Sequence, residues 1–222
     1  IRMRALVLDG VGFEHLAVRE VPTPRPGPRQ LLARVDTAGI CTSLLKLIAQ
    51  GSEHKLLSGW DPARHPLILG DEGAVTLVEI GEELRGGYQV GNRYVIQPAV
   101  DHPPINHRDR YADGGRGVDK VAVGYTLAGH LAEYILIPEE VLAAQCLVPL
   151  PDPSMPAAHA ALAEPFSCAI SAQDHHVHLV QDALTEPRRA IKGPRPGGVV
   201  VVIGAGAMGR MHVDAAFSHR PR

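Results

Sequence analysis

The chain has 222 residues, 45% of them hydrophobic and 21% charged, and its 22 Lys and Arg against 24 Asp and Glu give a formal net charge of −2. That balance leaves no basic block to neutralise a row of phosphates, so nucleic acid is not an expected partner. No apolar run approaches the roughly 18 residues of a membrane span, and Ile1, Arg2 and Met3 open directly into a strand pattern, so neither a membrane partner nor a signal peptide is expected. Cys41, Cys146 and Cys168 form no CxxC pair and fit reduced thiols in the cytoplasm better than a disulfide framework.

In chain order, Arg2 to Leu8 and His15 to Glu20 both alternate around Asp9, Gly10 and Gly12, which predicts a hairpin. Pro22 to Pro28 is a rigid connection, because proline fixes φ and cannot donate to a ladder. Gln30 to Ile40 reads as a strand ending at Gly39, Ile40 and Cys41, and a short helical pattern runs from Ser43 to about Gln50. Gly51 to His65 is loop-like, with Trp60 as its single large aromatic anchor. Strands are then predicted over Val75 to Ile80, Val90 to Ile96, Gly129 to Ile137 and Cys146 to Leu150, with a long surface loop or lobe from Pro98 to Gly117. A β-rich domain over residues 1–153 follows from this spacing.

At Pro151 the character changes. Pro156 to about Leu179 is rich in alanine and free of glycine, which predicts one or two helices, and Thr185 to Gly197 reads as a loop. Residues 154–196 are thus a helical hinge and linker. Residues 197–222 begin an α/β pattern: the apolar run Val199 to Ile203, predicted as a strand, breaks into Gly204, Gly206 and Gly209, with a helix from about Ala207. In such a fingerprint the first glycine turns the chain, the second admits a pyrophosphate and the third lets helix and sheet approach. Gly204, Gly206, Ala207, Met208 and Gly209 are therefore candidate cofactor-binding residues, with helix N-terminal amides facing the phosphates.

Three separated places offer metal-ligating chemistry: Cys41 after a strand, Asp71 and Glu72 between two glycines, and Glu164 in a helical stretch. From the residues alone Cys41 is also readable as a buried apolar thiol and the acidic pair as a solvated turn. His102 and His107 read as loop histidines. His175, His176 and His178 read as surface or interdomain histidines, since adjacent helical positions diverge by about 100°.

The motifs GIC at Gly39 to Cys41, LGDEGAV at Leu69 to Val75, VGNRY at Val90 to Tyr94, GHLAEY at Gly129 to Tyr134, AEPFSCA at Ala163 to Ala169 and GAGAMG at Gly204 to Gly209 follow one another along nearly the whole chain. Together they resemble the medium-chain, zinc-dependent alcohol and polyol dehydrogenases of the sorbitol dehydrogenase-like branch. The resemblance implies a mixed α/β fold, a GroES-like β-barrel catalytic domain followed by the first βα unit of a Rossmann domain. It also implies one catalytic Zn²⁺, NAD or NADP as cofactor, and an alcohol or polyol as substrate. Cys41 matches a zinc ligand, Ser43 the hydroxyl that relays the alcohol proton, and Glu164 the glutamate ligand of the EP motif. Glu72 matches the glutamate beside the family's histidine ligand, so Asp71 and Glu72 join Cys41 and Glu164 as candidate metal residues, and Glu72 and Lys46 join Cys41 and Ser43 as candidate catalytic residues.

Two departures bear on the chemistry. Asp71 stands where the family has a histidine, which would put three anionic ligands, Cys41, Asp71 and Glu164, around one Zn²⁺. Leu44 replaces a common aspartate, which avoids further repulsion, and Lys46 could neutralise the added carboxylate. Between Val90 and Gly129 there is no cysteine, so a structural zinc is not expected. The acidic residue that separates NAD from NADP is expected about 20 residues past the glycines, beyond Arg222. The chain is accordingly expected to be an N-terminal fragment of a homo-oligomeric parent, inactive alone, with Val199 to Ile203 lacking a parallel neighbour. A non-catalytic or degenerate GroES-like module without a functional metal site is the alternative.

Overall fold

The computed structural model describes residues 1–101, 103–195 and 197–219, so His102 lies outside the described residues. The chain divides into two compact units, Ile1–Glu164 and Pro165–Arg222.

In the first unit β1 (Arg2–Leu8) and β2 (Leu16–Pro22) form the expected antiparallel hairpin. After the proline-rich connection comes β3 (Leu31–Ala38), then α1 (Ser43–Gln50). Leu44, Leu47 and Ile48, spaced to share one face, are the buried side chains of α1, and Gly51 ends it at φ 52, a conformation open to glycine. The strands β4 (Leu67–Ile68), β5 (Gly73–Ile80), β6 (Arg93–Ile96), β7 (Ala99–Val100), β8 (Val121–Ala122) and β9 (Tyr134–Ile137) follow, then α2 (Glu139–Ala143), β10 (Leu147–Pro149) and α3 (Ala157–Ala160).

These strands pair in the orders β2-β1-β4, β10-β6-β5-β3-β9 and β7-β8. The expected β-barrel is thus open: among the described residues its strands make separate sheets and no closed ring. An antiparallel bridge between Ala5 and Ala132 and the bond from Leu6 N to Leu131 O at 2.7 Å join β1 to the strap before β9. Between the sheets lies one apolar core, where Leu8, Leu31, Ala33, Leu47, Val75, Leu77, Ile135 and Ile137 are all at most 1% exposed. Trp60 belongs to this core as well. Its Nε1 donates to His65 O at 2.8 Å, and its ring meets Tyr111 edge-on at 5.2 Å, which pins the loop as a hydrophobic anchor should.

The second unit corrects two expectations. Helix α4 (Ala163–Asp174), which begins with the last two residues of the first unit and includes Glu164, ends before His175. The next residues form β11 (Val177–Val180) paired with β12 (Arg189–Lys192), where a helix and a loop were expected. The β-branched, alternating Val177-His178-Leu179-Val180 suits a ladder better than a helix, and the alanine-rich run ahead of it masked the change of period. Val199 to Ile203 is not a strand, and Val199, Val201 and Ile203 are 81%, 77% and 97% exposed. A strand is defined by a ladder, and no described strand runs beside this segment. The predicted helix is present as α5 (Ala207–Phe217).

Leu77, on the central strand β5 and fully buried, tests where the first unit's stability resides. Leu77→Ala should cost about 2–5 kcal/mol in urea unfolding, whereas Leu45→Ala on the exposed face of α1 should change stability by less than about 0.5 kcal/mol.

Candidate metal centre

The site is built where the end of β3 meets the start of β5. Register shifts in their pairing, the second between Val35 and Thr37, bend β3 as it leaves the sheet. Gly39 N then donates to Glu72 O at 3.0 Å, and a Cβ on Gly39 would overlap the Glu72 carboxylate. Only glycine lets the chain pass here. Two residues on, Cys41 is turned inward by the start of α1: Leu44 N donates to Cys41 O at 3.2 Å, and Ser43 N approaches Cys41 Sγ at 3.4 Å.

Cys41 Sγ and one carboxylate oxygen each of Asp71 and Glu72 all lie within 4.8 Å of one another. Asp71 and Glu72 are only 6% and 8% exposed, against the expectation that an acidic pair in a glycine turn is solvated. Ser43 Oγ donates to Asp71 Oδ2 at 3.0 Å, while Asp71 Oδ1 is buried without a hydrogen-bond partner. Burial pushes the Glu72 carboxyl up, and the Asp71 charge adds to it, against a lowering hydrogen bond from Cys41. Burial likewise raises the Cys41 thiol, and the two carboxylates act in the same direction. A divalent cation relieves this crowding, and the orphaned Asp71 Oδ1 beside a thiol and a second carboxylate fits one.

The turn that presents Asp71 is clamped from behind. Gly70 has φ 107, and a Cβ there would lie 2.8 Å from Leu131 N, while one on Gly124 would lie 2.6 Å from Gly70 C. This close approach lets the His130 amide and its Nδ1 both reach Gly70 O, at 2.9 and 3.1 Å. Since a carbonyl only accepts, Nδ1 carries a proton. Burial holds the His130 pKa down at about 4, against a raising effect of the Gly70 bond, and its ring packs on Gly73.

Tyr125 escaped sequence reasoning. It is 5% exposed, and burial raises its hydroxyl pKa, opposed by a hydrogen bond with Ser43 and assisted by the charges of Asp71, Cys41 and Glu164. The His54 ring lies 5.3 Å from it. Its only local signal is a tyrosine following Gly124, whose φ of 84 carries the chain into the site. Glu164 lies outside the 4.8 Å cluster, although its charge reaches Tyr125. Lys46 is exposed, and its charge helps lower the His54 pKa after burial.

In the second unit Gly206 caps α5 without a side-chain bond, Gly204 has φ 115, and a Cβ on Gly209 would overlap the Gly204 carbonyl. Ala207 and Met208 are the first residues of α5, so the turn expected of the fingerprint is formed. His176 and His178 stack at 5.8 Å, and His175 Nδ1 meets Ser171 O at 2.9 Å. Among the described residues Cys41, Asp71 and Glu72 are the sole group arranged for a metal.

A thiol and buried carboxylates on an open β scaffold, followed by a glycine-rich turn at a helix N-terminus, define a two-part, metal-compatible architecture. A family model described as the alcohol dehydrogenase GroES-like domain matches residues 27–152, and the chain belongs to that family. It is 32% identical over 217 residues to Escherichia coli K12 YggP, covering 97% of this chain and 46% of that protein. With L-sorbose 1-phosphate reductase of Klebsiella pneumoniae it shares 30% identity over 211 residues, covering 95% of this chain and 47% of that one. A candidate zinc-binding dehydrogenase of Sinorhizobium meliloti 1021, solved with NADP, superposes with a TM-score of 0.68 at 26% identity, over 100% of this chain and 54% of that chain. The chain thus spans about half the length of the curated relatives it matches.

The His130 clamp carries a pH signature. With a folded pKa of about 4 below the ordinary 6.5, the unfolded chain binds more protons in that interval. His130 therefore contributes stability above pH 6.5 that is lost as the pH falls toward 4, on the order of 3 kcal/mol. Urea unfolding across this range should show a shallower loss in His130→Gln than in the parent, and parallel curves would refute the assignment.

Proposed function

We propose that this chain is the metal-bearing part of an NAD(P)-dependent dehydrogenase acting on a small alcohol or polyol. The observation that carries this reading is the cluster of half-buried Cys41 with buried Asp71 and Glu72, with Ser43 Oγ bonded to Asp71 at 3.0 Å. Cys41, Asp71 and Glu72 are the residues present to hold a divalent ion, with Glu164 a further ligand on the family resemblance. Zinc, when bound there, supplies Lewis acidity toward the alcohol oxygen, and NAD or NADP accepts the hydride.

The chain's own part is to position the alcohol and move its proton. Ser43 donates its hydroxyl hydrogen to Asp71 Oδ2, so its oxygen takes up the proton of the substrate hydroxyl as its own hydrogen passes to that carboxylate. Tyr125, placed against Ser43 by burial and hydrogen bonding, fixes the rotamer of that hydroxyl. Lys46, on the outer face of α1, acts only at longer range. In the second unit Gly204, Gly206, Ala207, Met208 and Gly209 form a turn whose free helix amides suit a pyrophosphate.

Residues 1–153 are then the catalytic domain, 154–196 the hinge and 197–222 the beginning of the dinucleotide-binding domain. No helix among the described residues is long and apolar enough to cross a membrane. The enzyme so proposed is cytoplasmic and homo-oligomeric as a whole, and takes small molecules and neither nucleic acid nor membrane as partner.

Elemental analysis together with an NAD(P)-linked screen of alcohols and polyols tests the proposal. Cys41→Ala should lose both stoichiometric metal and hydride transfer. Ser43→Ala should keep the metal but lower kcat by about 10²–10⁴-fold, with Tyr125→Phe losing less. An active Cys41→Ala enzyme, or a metal-free parent protein that turns over alcohol, would sink it.

A further inference from the structure

The donor atoms themselves say more than that a cation fits. Within 4.8 Å they comprise one thiol sulfur and two carboxylates, and no imidazole. Neither His130 nor His54 belongs to this group. His130 Nδ1 is spent on Gly70 O, its ring lies on Gly73 and its Nε2 is buried without a partner, while His54 Nδ1 accepts from Leu56 N at 3.3 Å. Asp71 supplies the independent sign of a ligand: it is over nine-tenths buried, and Oδ1 has no partner although Oδ2 is held by Ser43.

We propose that this centre is an oxygen-rich divalent-cation site that binds manganese(II) as well as zinc, with Asp71 as the residue that narrows the discrimination between them. This rests on the reading of the cluster as a metal site. Imidazole and thiolate favour zinc, whereas carboxylates suit harder ions such as manganese(II). An aspartate at position 71 offers a charged oxygen where an imidazole would offer a neutral nitrogen, so the attraction is more purely coulombic and less dependent on the identity of the ion. The single thiolate of Cys41 and the general affinity order of divalent ions still leave zinc ahead.

The consequence is measurable without turnover. The full chain, stripped of metal with a chelator, is titrated with zinc alone and with manganese(II) alone, and the ratio of the two affinities is compared between the parent and Asp71→His. Both ions should bind the parent with one-to-one stoichiometry, and Asp71→His should raise the zinc preference by about tenfold or more. Cobalt(II) added to the stripped chain should show a sulfur-to-metal absorption band that Cys41→Ser removes. Circular dichroism checks that each variant folds. If Asp71→His does not, Asp71→Asn should lose manganese(II) affinity by a larger factor than zinc affinity.

Equal zinc-to-manganese ratios in parent and variant overturn the inference, as does a parent that binds zinc and excludes manganese(II). Normal binding of both ions by this chain, with no alcohol oxidation by the complete protein it belongs to, would instead refute the proposed activity and leave this inference standing. A folded chain that binds neither ion refutes both.

Discussion

Everything in the first unit answers to one electrostatic constraint: two consecutive buried carboxylates sit against a half-buried thiol. At an effective dielectric of about 20, two unit charges about 4 Å apart repel by about 4 kcal/mol. That is as large as the gain from burying one or two leucine side chains. The centre therefore cannot be held by its own hydrogen bonds, of which Ser43 to Asp71 is the best defined. It depends on the core beneath it, where Leu31, Val75, Leu77 and Ile137 are fully buried on the two strands that bracket the site and on β9. A cation converts the repulsion into attraction, so the scaffold and the ion are complementary parts of one arrangement.

Backbone geometry does the positioning. Gly39, Gly70, Gly73 and Gly124 are the points at which a side chain would collide with Glu72, Leu131, His130 or Gly70 itself. Around them the strap carrying Tyr125 and His130 closes onto the turn carrying Asp71. His130 is neutral because it is buried, and with its proton on Nδ1 it gives a single carbonyl two bonds. The same strap delivers the Tyr125 hydroxyl to Ser43. One backbone approach thus sets both the metal-facing carboxylate and the hydroxyl that steadies its neighbour.

What could be read from the residues beforehand follows the range of the interactions. The β1–β2 hairpin, α1 and α5 are encoded by turn residues and short-period patterns, and were legible. Cys41, Asp71 and Glu72 were legible as a group through the family motifs, since their spacing along the chain gives no hint that they meet. Tyr125 and His130 were not, because their roles arise from burial against residues more than fifty positions away, which no local pattern records. Lys46 looked like a neutralising partner from its place in α1, but its side chain is on the exposed face. The β11–β12 hairpin was missed because an alanine-rich helix leads directly into it.

The same distinction explains the two halves of the glycine fingerprint. Gly204 with φ 115 and the tight approach of Gly209 to its carbonyl are local, and they form with α5 behind them. The run Val199 to Ile203 is apolar enough to be a buried strand, but a strand is completed by its neighbours, and here its side chains stand exposed. A phosphate-binding turn can therefore be shaped by a few residues and a helix N-terminus, while the strand that usually delivers it depends on partners far along a chain. The turn alone supplies amides and a dipole. Rigidity relative to the rest of a cofactor site has to come from the ladder, so the glycines specify the chemistry of the site and the sheet specifies its precision.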